Sequence, residues 1–572
     1  MTEMPYDTNE YTKYNPLHKE LDITINSKVS SYEKRISYNK YEIIDIDGNK
    51  KECFKKFITL VDYVKFLIGK YKSDNIYLLP GNKNNTSLFE EYINSSNNYA
   101  YVDGFFYYLT SKLLENDFVH GLDYYDSYLC LSNNCEIDIV DDFEYLCDSN
   151  YFNDKLNNLF HFKDNNLGDF FNKKQSIVIS ENNLNIDFEQ LEVDNESVLN
   201  IEQVQLQELD QVQLQELNQV QDQLQDQLQD LELNLELEPE LIEDIQNSES
   251  DDSIVIEDSN SENDTNSDTT SDSDTNSDSD TNNDSDNDTN NDSDNDSNSN
   301  HDSDKSDNYE TESNSTKDEI EKLILIIKKM PTQVIAIENC VGTFDSLLEN
   351  NNLTIEELES AIFQVIVMLY VYQNVFDFTH NDLHTNNIMF INTTEVYLYY
   401  KIKGIHYKIP TFGKIYKIID FGRSIYKVKD KLVCSDSFSI NGTAHTQYNF
   451  EPFYNKNKKI VNPNKSFDLC RLACSMIDFI IDDIKQINKF KEVPIYDLII
   501  SWLYDDNGIN VLYKNNGEER YPDFKLYKMI ARIVHNHIPE KQFEHSCFNK
   551  YKVEQLEKCM NIDNIIKTQV HL

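Results

Sequence analysis

The clearest pattern along the chain is a pair of apolar-rich runs, Tyr41-Glu42-Ile43-Ile44-Asp45-Ile46 and Cys53-Phe54-Lys55-Lys56-Phe57-Ile58, separated by Asp47-Gly48-Asn49-Lys50. An Asp-Gly step favours a tight turn because glycine accepts positive φ at no steric cost, so the two runs predict a β-hairpin. The period changes over Tyr99 to Leu114, where Val102, Phe105, Phe106, Leu109 and Leu113 recur at helical spacing. Strands are predicted for Tyr124 to Leu131 and Pro331 to Ile337. Thr354-Ile355-Glu356-Glu357 is a capping-box start to a helix whose Leu358, Ile362, Val365, Ile366 and Leu369 share one face. Further helices are expected from about Phe467 to Asp482 and from Phe524 to His535, and an extra hairpin around Val396 to Tyr407. Residues 1–40 are weakly patterned and are expected to form a tail or irregular edge strands.

Between these segments both periods fail. Gln203-Val204-Gln205-Leu206-Gln207-Glu208-Leu209-Asp210 recurs with one change over 211–218, a spacing that leaves a marginal coiled coil and a disordered Gln-rich tract as open readings. Residues 247–316 are almost wholly Asp, Ser, Asn and Thr, too poor in apolar surface to offset chain entropy, and are expected to be disordered. Residues 181–316 hold 42 Asp and Glu against one basic residue, Lys305, and so carry about −41 of the formal net charge of −51. The acidic balance therefore belongs to one segment and not to the whole surface.

No long Lys/Arg run supplies the footprint that nucleic-acid binding requires, so no nucleic-acid partner is expected. The ten cysteines include no C-x-x-C pair, which fits reduced thiols in an intracellular compartment. The residues Met1 to Tyr6 lack a signal-peptide pattern, and the apolar stretch Ala361 to Val371 is too short to span a bilayer. A soluble protein without membrane association is the expectation.

Two short strings carry the chemistry. His380-Asn381-Asp382-Leu383-His384-Thr385-Asn386-Asn387 fits H-x-D-x-x-x-x-N and follows the Thr354 helix; Asp420-Phe421-Gly422 follows the apolar Ile415, Ile418 and Ile419. Phosphoryl transfer is mostly positioning and charge neutralisation, which calls for carboxylate and amide oxygens around a metal-bound triphosphate. Each string alone is weak, and a loop His or Asp taken singly usually just turns the chain. Together and in this order they are specific.

With these motifs the chain resembles the eukaryotic-type protein kinase family, and the Asn-Asp-Leu-His style of the loop is similar to divergent kinases of giant DNA viruses. The resemblance implies an α+β bilobal fold, with a small β-rich N-lobe, a helical C-lobe and a long disordered acidic insertion. It divides the chain into a tail (1–40), an N-lobe part (41–145), the insertion (146–325), and the fifth strand, hinge and C-lobe (326–572). It implies ATP and Mg²⁺ as cofactors, a protein substrate phosphorylated on Ser/Thr-type hydroxyls and, for a viral chain, the host cytoplasm. Asp382 would be the catalytic base, His380 the brace of the loop, Asn387 and Asp420 the metal ligands. Ile335 to Phe344 is similar to the family's fifth strand and hinge, with Ile337 as gatekeeper and adenine bound around Glu338 and Cys340. Asp468 matches the residue that anchors the catalytic loop. Strand alternation favours Lys56 over Lys55 as the phosphate-binding lysine, with Asp103 or Glu115 as its acidic partner.

Several positions depart from the family. No G-x-G-x-x-G precedes the lysine strand, Asn381 replaces the loop Arg, no A-P-E follows Asp420, and His384 stands where Ser/Thr kinases carry Lys. A small-molecule phosphotransferase and a catalytically weak pseudokinase scaffold are therefore the alternatives. Ile254-Val255-Ile256, an apolar island between acidic triplets, could add to the sheet edge of a partner protein.

Overall fold

The computed structural model describes residues 11–71, 78–81, 87–140, 142–163, 323–350, 353–481, 484–556 and 558–568. The Gln-rich repeat, the acidic tract and Ile254-Val255-Ile256 lie outside the described residues.

The fold is mixed α/β, and its N-terminal part is an antiparallel sheet. Its strands are β1 (Tyr11–Thr12), β2 (Val29–Arg35), β3 (Lys40–Asp45), β4 (Lys50–Thr59), β5 (Tyr124–Asp138), β6 (Phe160–Phe162) and β7 (Ile324–Glu338). Their order is β1-β5-β7-β4-β3-β2, with β6 also paired to β7. The predicted hairpin is β3–β4, turning at Gly48 with φ 83°. β2 is an edge strand with two register shifts, as irregular as its sequence suggested. Ahead of it, Pro16–Leu21 is a short helix that the polar composition hid. Asn15 caps it by accepting from the N–H groups of Leu17 and His18, and Pro16 opens it, a start signal that was present in the sequence.

Helix Tyr99–Leu114 packs against this sheet and buries most of its length. A Cβ at Gly104 would lie 1.9 Å from Gln333 Nε2 on β7, so glycine permits the close approach. Two boundaries need correction. The strand predicted to end at Leu131 runs to Asp138, and the insertion assigned from residue 146 starts later, because residues 143–162 form two short helices and β6 in which Leu146, Phe152, Phe160 and Phe162 supply enough apolar surface to join the core.

Beyond β7 the chain is mainly helical. Helix Ile355–Phe376 starts with the predicted capping box, Thr354 with Glu357, and is buried from Leu358 to Gln373. Helices Phe467–Ile480 and Phe524–Ile533 follow as expected. β8 (Gly342–Thr343), β9 (Ile388–Asn392), β10 (Tyr397–Ile402), β11 (Ile405–Pro410) and β12 (Lys414–Ile418) include the extra hairpin, β10–β11. In a three-stranded β12-β9-β8 sheet, the His380–Asn387 string leads into the central strand β9 and Asp420-Phe421-Gly422 follows the edge strand β12. Among the described residues no helix is long and apolar enough to cross a membrane, and all ten cysteines are free.

Candidate active site

On β4, Lys55 and Lys56 point to opposite faces of the sheet, and their surroundings differ. Lys56 Nζ lies 2.9 Å from Asp103 Oδ2 and 2.8 Å from Asp420 Oδ1. Burial acts to lower its pKa, but the two carboxylates override that and hold it well above the usual lysine range. Asp103 is 1% exposed; burial pushes its carboxyl up to about 6 against the opposing pull of Lys56. Asp420 is half-exposed, and Lys56 holds it down to about 2. Of the two acidic partners considered, Asp103 is the one in place. Glu115 ends the same helix and pairs with Lys112 at 2.7 Å.

Lys55 is fully buried on the other face, with Nζ 3.8 Å and 4.5 Å from the ring centres of Tyr32 and Tyr41 and 3.5 Å from the Tyr128 hydroxyl. Among the described residues no carboxylate forms an ion pair with it, and burial lowers its pKa to about 8. Holding a cation there costs roughly 3 kcal/mol below pH 8 relative to an ordinary lysine. The unfolded chain binds this proton up to about pH 10.5, so this contribution to stability rises between pH 8 and 10.5. Lys55→Met should therefore melt several degrees above wild type at pH 7, with the gap closing towards pH 10. A variant no more stable than wild type at pH 7 would show that the rings fully compensate the charge.

The Asp420-Phe421-Gly422 loop is tied to helix Tyr99–Leu114. Asp103 Oδ1 accepts from Phe421 N–H at 2.5 Å, and Tyr107 Oη from Asp420 N–H at 2.9 Å. Phe421 is buried against Phe106, Tyr107 and His380, with ring centres 4.6, 4.9 and 5.7 Å apart. Asp420 takes φ 65°, a left-handed conformation that Asp tolerates better than most residues, and that bend brings its carboxylate to Lys56.

The other loop hangs from Asp468, which opens helix Phe467–Ile480. Its carboxylate accepts from the N–H groups of His380 at 3.0 Å and Asn381 at 2.9 Å, while burial raises its pKa against those bonds. His380 Nε2 reaches Ile419 O at 2.9 Å, joining the two motifs. Asn381, at φ 65°, donates to Arg423 O and accepts from the Tyr448 hydroxyl at 2.7 Å, so this small amide ties the loop to two segments from inside the core. Asn387 Nδ2 donates to Asp382 O at 2.9 Å and lies 3.0 Å from His384 Nε2. Burial lowers the pKa of His384.

A scan against protein-family models finds no match, and a search of curated proteins finds no relative.

With its nitrogen engaged, Asn387 keeps its oxygen for a ligand, and Asp420 has a second carboxylate oxygen beyond the one that meets Lys56. Both are hard oxygen donors of the kind Mg²⁺ takes alongside water and phosphate; among the described residues no three or more acidic, His or Cys side chains gather into a metal-binding group.

Glu338 and Cys340 lie at and just beyond the end of β7, and their side chains take no part in the Lys56 cluster. Glu338 Oε2 faces buried Lys417 at 3.2 Å, and Lys417 Nζ also donates to the carbonyls of Val119 and Gly121 at 2.8 and 2.6 Å. Cys340 is buried, and its thiol is pushed up to about 12. Ile337 is buried in the core opposite Phe54.

Three residues that sequence reasoning missed surround Asp382. Tyr527 on helix Phe524–Ile533 donates to Asp382 Oδ1 at 2.8 Å, Arg423 Nη1 is 3.4 Å from Asp382 Oδ2, and Arg471 Nε donates to the Tyr527 hydroxyl at 2.9 Å. Arg423 directly follows Asp420-Phe421-Gly422 and could have been noted for that position. Tyr527 comes 145 residues after Asp382 and carries no local signal.

Proposed function

We propose that the chain is an ATP- and Mg²⁺-dependent protein-kinase-like phosphotransferase acting on protein hydroxyls, with the sheet through β7 as a small lobe and the helical part after it as a large lobe. The observation that carries this reading is the meeting of Lys56, Asp103 and Asp420, from three separate stretches, beside a loop that Asp468 anchors at His380 and Asn381 and in which Asn387 bonds the Asp382 carbonyl. Lys56 binds phosphate oxygens, and Asp103 keeps it charged and aimed. Asp420 and Asn387 would hold Mg²⁺, which would neutralise charge on the phosphates. Asp382 orients the acceptor hydroxyl and takes its proton, while His380 fixes the loop from behind. Main-chain groups near Glu338 and Cys340 receive adenine.

Two observations favour a weakly catalytic scaffold as the second reading. The β2–β3 turn, Ile36 to Asn39, contains no glycine to let main chain close over phosphates, and both Asp382 oxygens are engaged. Thermal shift separates the two. Mg-ATP should raise the melting temperature of the wild type, as any ligand of the folded state does, and Asp420→Ala should lose the Mg²⁺-dependent part of that rise. No shift for the wild type at millimolar Mg-ATP would favour the scaffold.

A further inference from the structure

The oxygen that Tyr527 presents to Asp382 marks where an acceptor oxygen can sit, because a general base needs a donor hydroxyl at about this distance. That oxygen is 2.8 Å from Asp382 Oδ1 and 2.9 Å from Arg471 Nε. Arg471 stands three residues after Asp468, so the helix that anchors the catalytic loop also delivers a guanidinium to the Tyr527 hydroxyl beside Asp382. Arg423 comes from the Asp420 loop. Both guanidiniums lie over the Tyr527 ring, at 5.1 and 5.8 Å from its centre.

The charges here do not balance. Two guanidiniums face one carboxylate, Asp382, and the contact of Arg423 with it is a long 3.4 Å. Arg471 is half-buried and makes no ion pair among the described residues; its hydrogen-bond partner is the phenol. A partly enclosed cation that shares its nearest carboxylate with a second guanidinium attracts a further anion and repels a further cation. An acceptor hydroxyl that displaces Tyr527 from Asp382 brings its own neighbouring groups alongside these two arginines.

Resting on the kinase reading above, we propose that Arg423, Arg471 and Tyr527 form an acceptor subsite that selects Ser/Thr hydroxyls flanked by carboxylates. In the step it serves, the acceptor oxygen bonds to the terminal phosphorus of ATP, the bond from that phosphorus to ADP breaks, and the acceptor proton passes to Asp382. Tyr527 holds the acceptor position until an acidic segment takes its place. The chain carries matching sequence, for example Ser271-Asp272-Ser273-Asp274-Thr275-Asn276-Ser277-Asp278-Ser279-Asp280.

The test uses the full chain with Mg-ATP and two peptides in one tube, residues 271–280 and the same peptide with every Asp replaced by Asn. The ratio of label in the two reports their relative kcat/KM, and competition from the chain's own acidic tract cancels from it. The acidic peptide should be preferred by about tenfold or more, the equivalent of one good charge interaction. Arg471→Met and Arg423→Met should each reduce that ratio, the double variant should bring it to about twofold or less, and Arg471→Lys should keep part of it. Equal labelling of both peptides, or a preference untouched in the double variant, would overturn the subsite and leave the kinase reading in place. Label on neither peptide nor on the protein itself would remove the kinase reading and the subsite together.

Discussion

Asp382→Asn is expected to lower phosphoryl transfer by about 10²- to 10⁴-fold, the range a positioned general base contributes, while the thermal shift produced by Mg-ATP stays within about a degree of wild type. The substitution keeps the local structure. Asp382 N–H still meets His380 Nδ1 at 3.3 Å, its carbonyl still accepts from Asn387, and an Asn oxygen still accepts from the Tyr527 hydroxyl. What disappears is the basic oxygen and the counter-charge to Arg423. Transfer assays on the two proteins with matched circular dichroism check this. Activity within threefold of wild type would mean that the acceptor proton goes elsewhere.

Lys56→Met should act on binding, transfer and stability together. Removing the ammonium leaves Asp103, 1% exposed, without its cation and with only the Phe421 N–H as partner, a loss of about 3–5 kcal/mol for a buried pair broken on one side. The penalty belongs to the ionised carboxyl. With Asp103 at about 6 in the wild type and higher in the variant, the difference in melting temperature should shrink as pH falls through about 6. Adding Asp103→Asn, which keeps an acceptor for Phe421 N–H, should restore much of the stability and none of the nucleotide binding. Nucleotide binding that survives in the single variant would place the phosphate site away from Lys56.

Most elements of the fold were legible where one local rule dominated. The β3–β4 hairpin followed from Asp47-Gly48, the Ile355 helix from its capping box, and the inward face of Lys56 from strand alternation. The candidate site was legible where its residues sit in contiguous strings, His380 to Asn387 and Asp420 to Gly422. Choosing Asp103 over Glu115 needed the close packing at Gly104, which depends on Gln333 far along the chain. Tyr527 and Arg471 were invisible because their meaning lies in contacts 145 and 56 residues away in sequence. Nothing in the space around Gly422 demands glycine, since an added Cβ there would make ordinary contacts at 3.8 Å.

The most direct measurement is transfer of label from γ-labelled Mg-ATP to the full chain and to generic protein acceptors, with and without a chelator. Chelator-sensitive label on Ser or Thr in the wild type, lost in Asp382→Asn and Asp420→Ala, is the expected result. No label on any acceptor, together with no Mg-ATP binding by the wild type, would contradict a phosphotransferase.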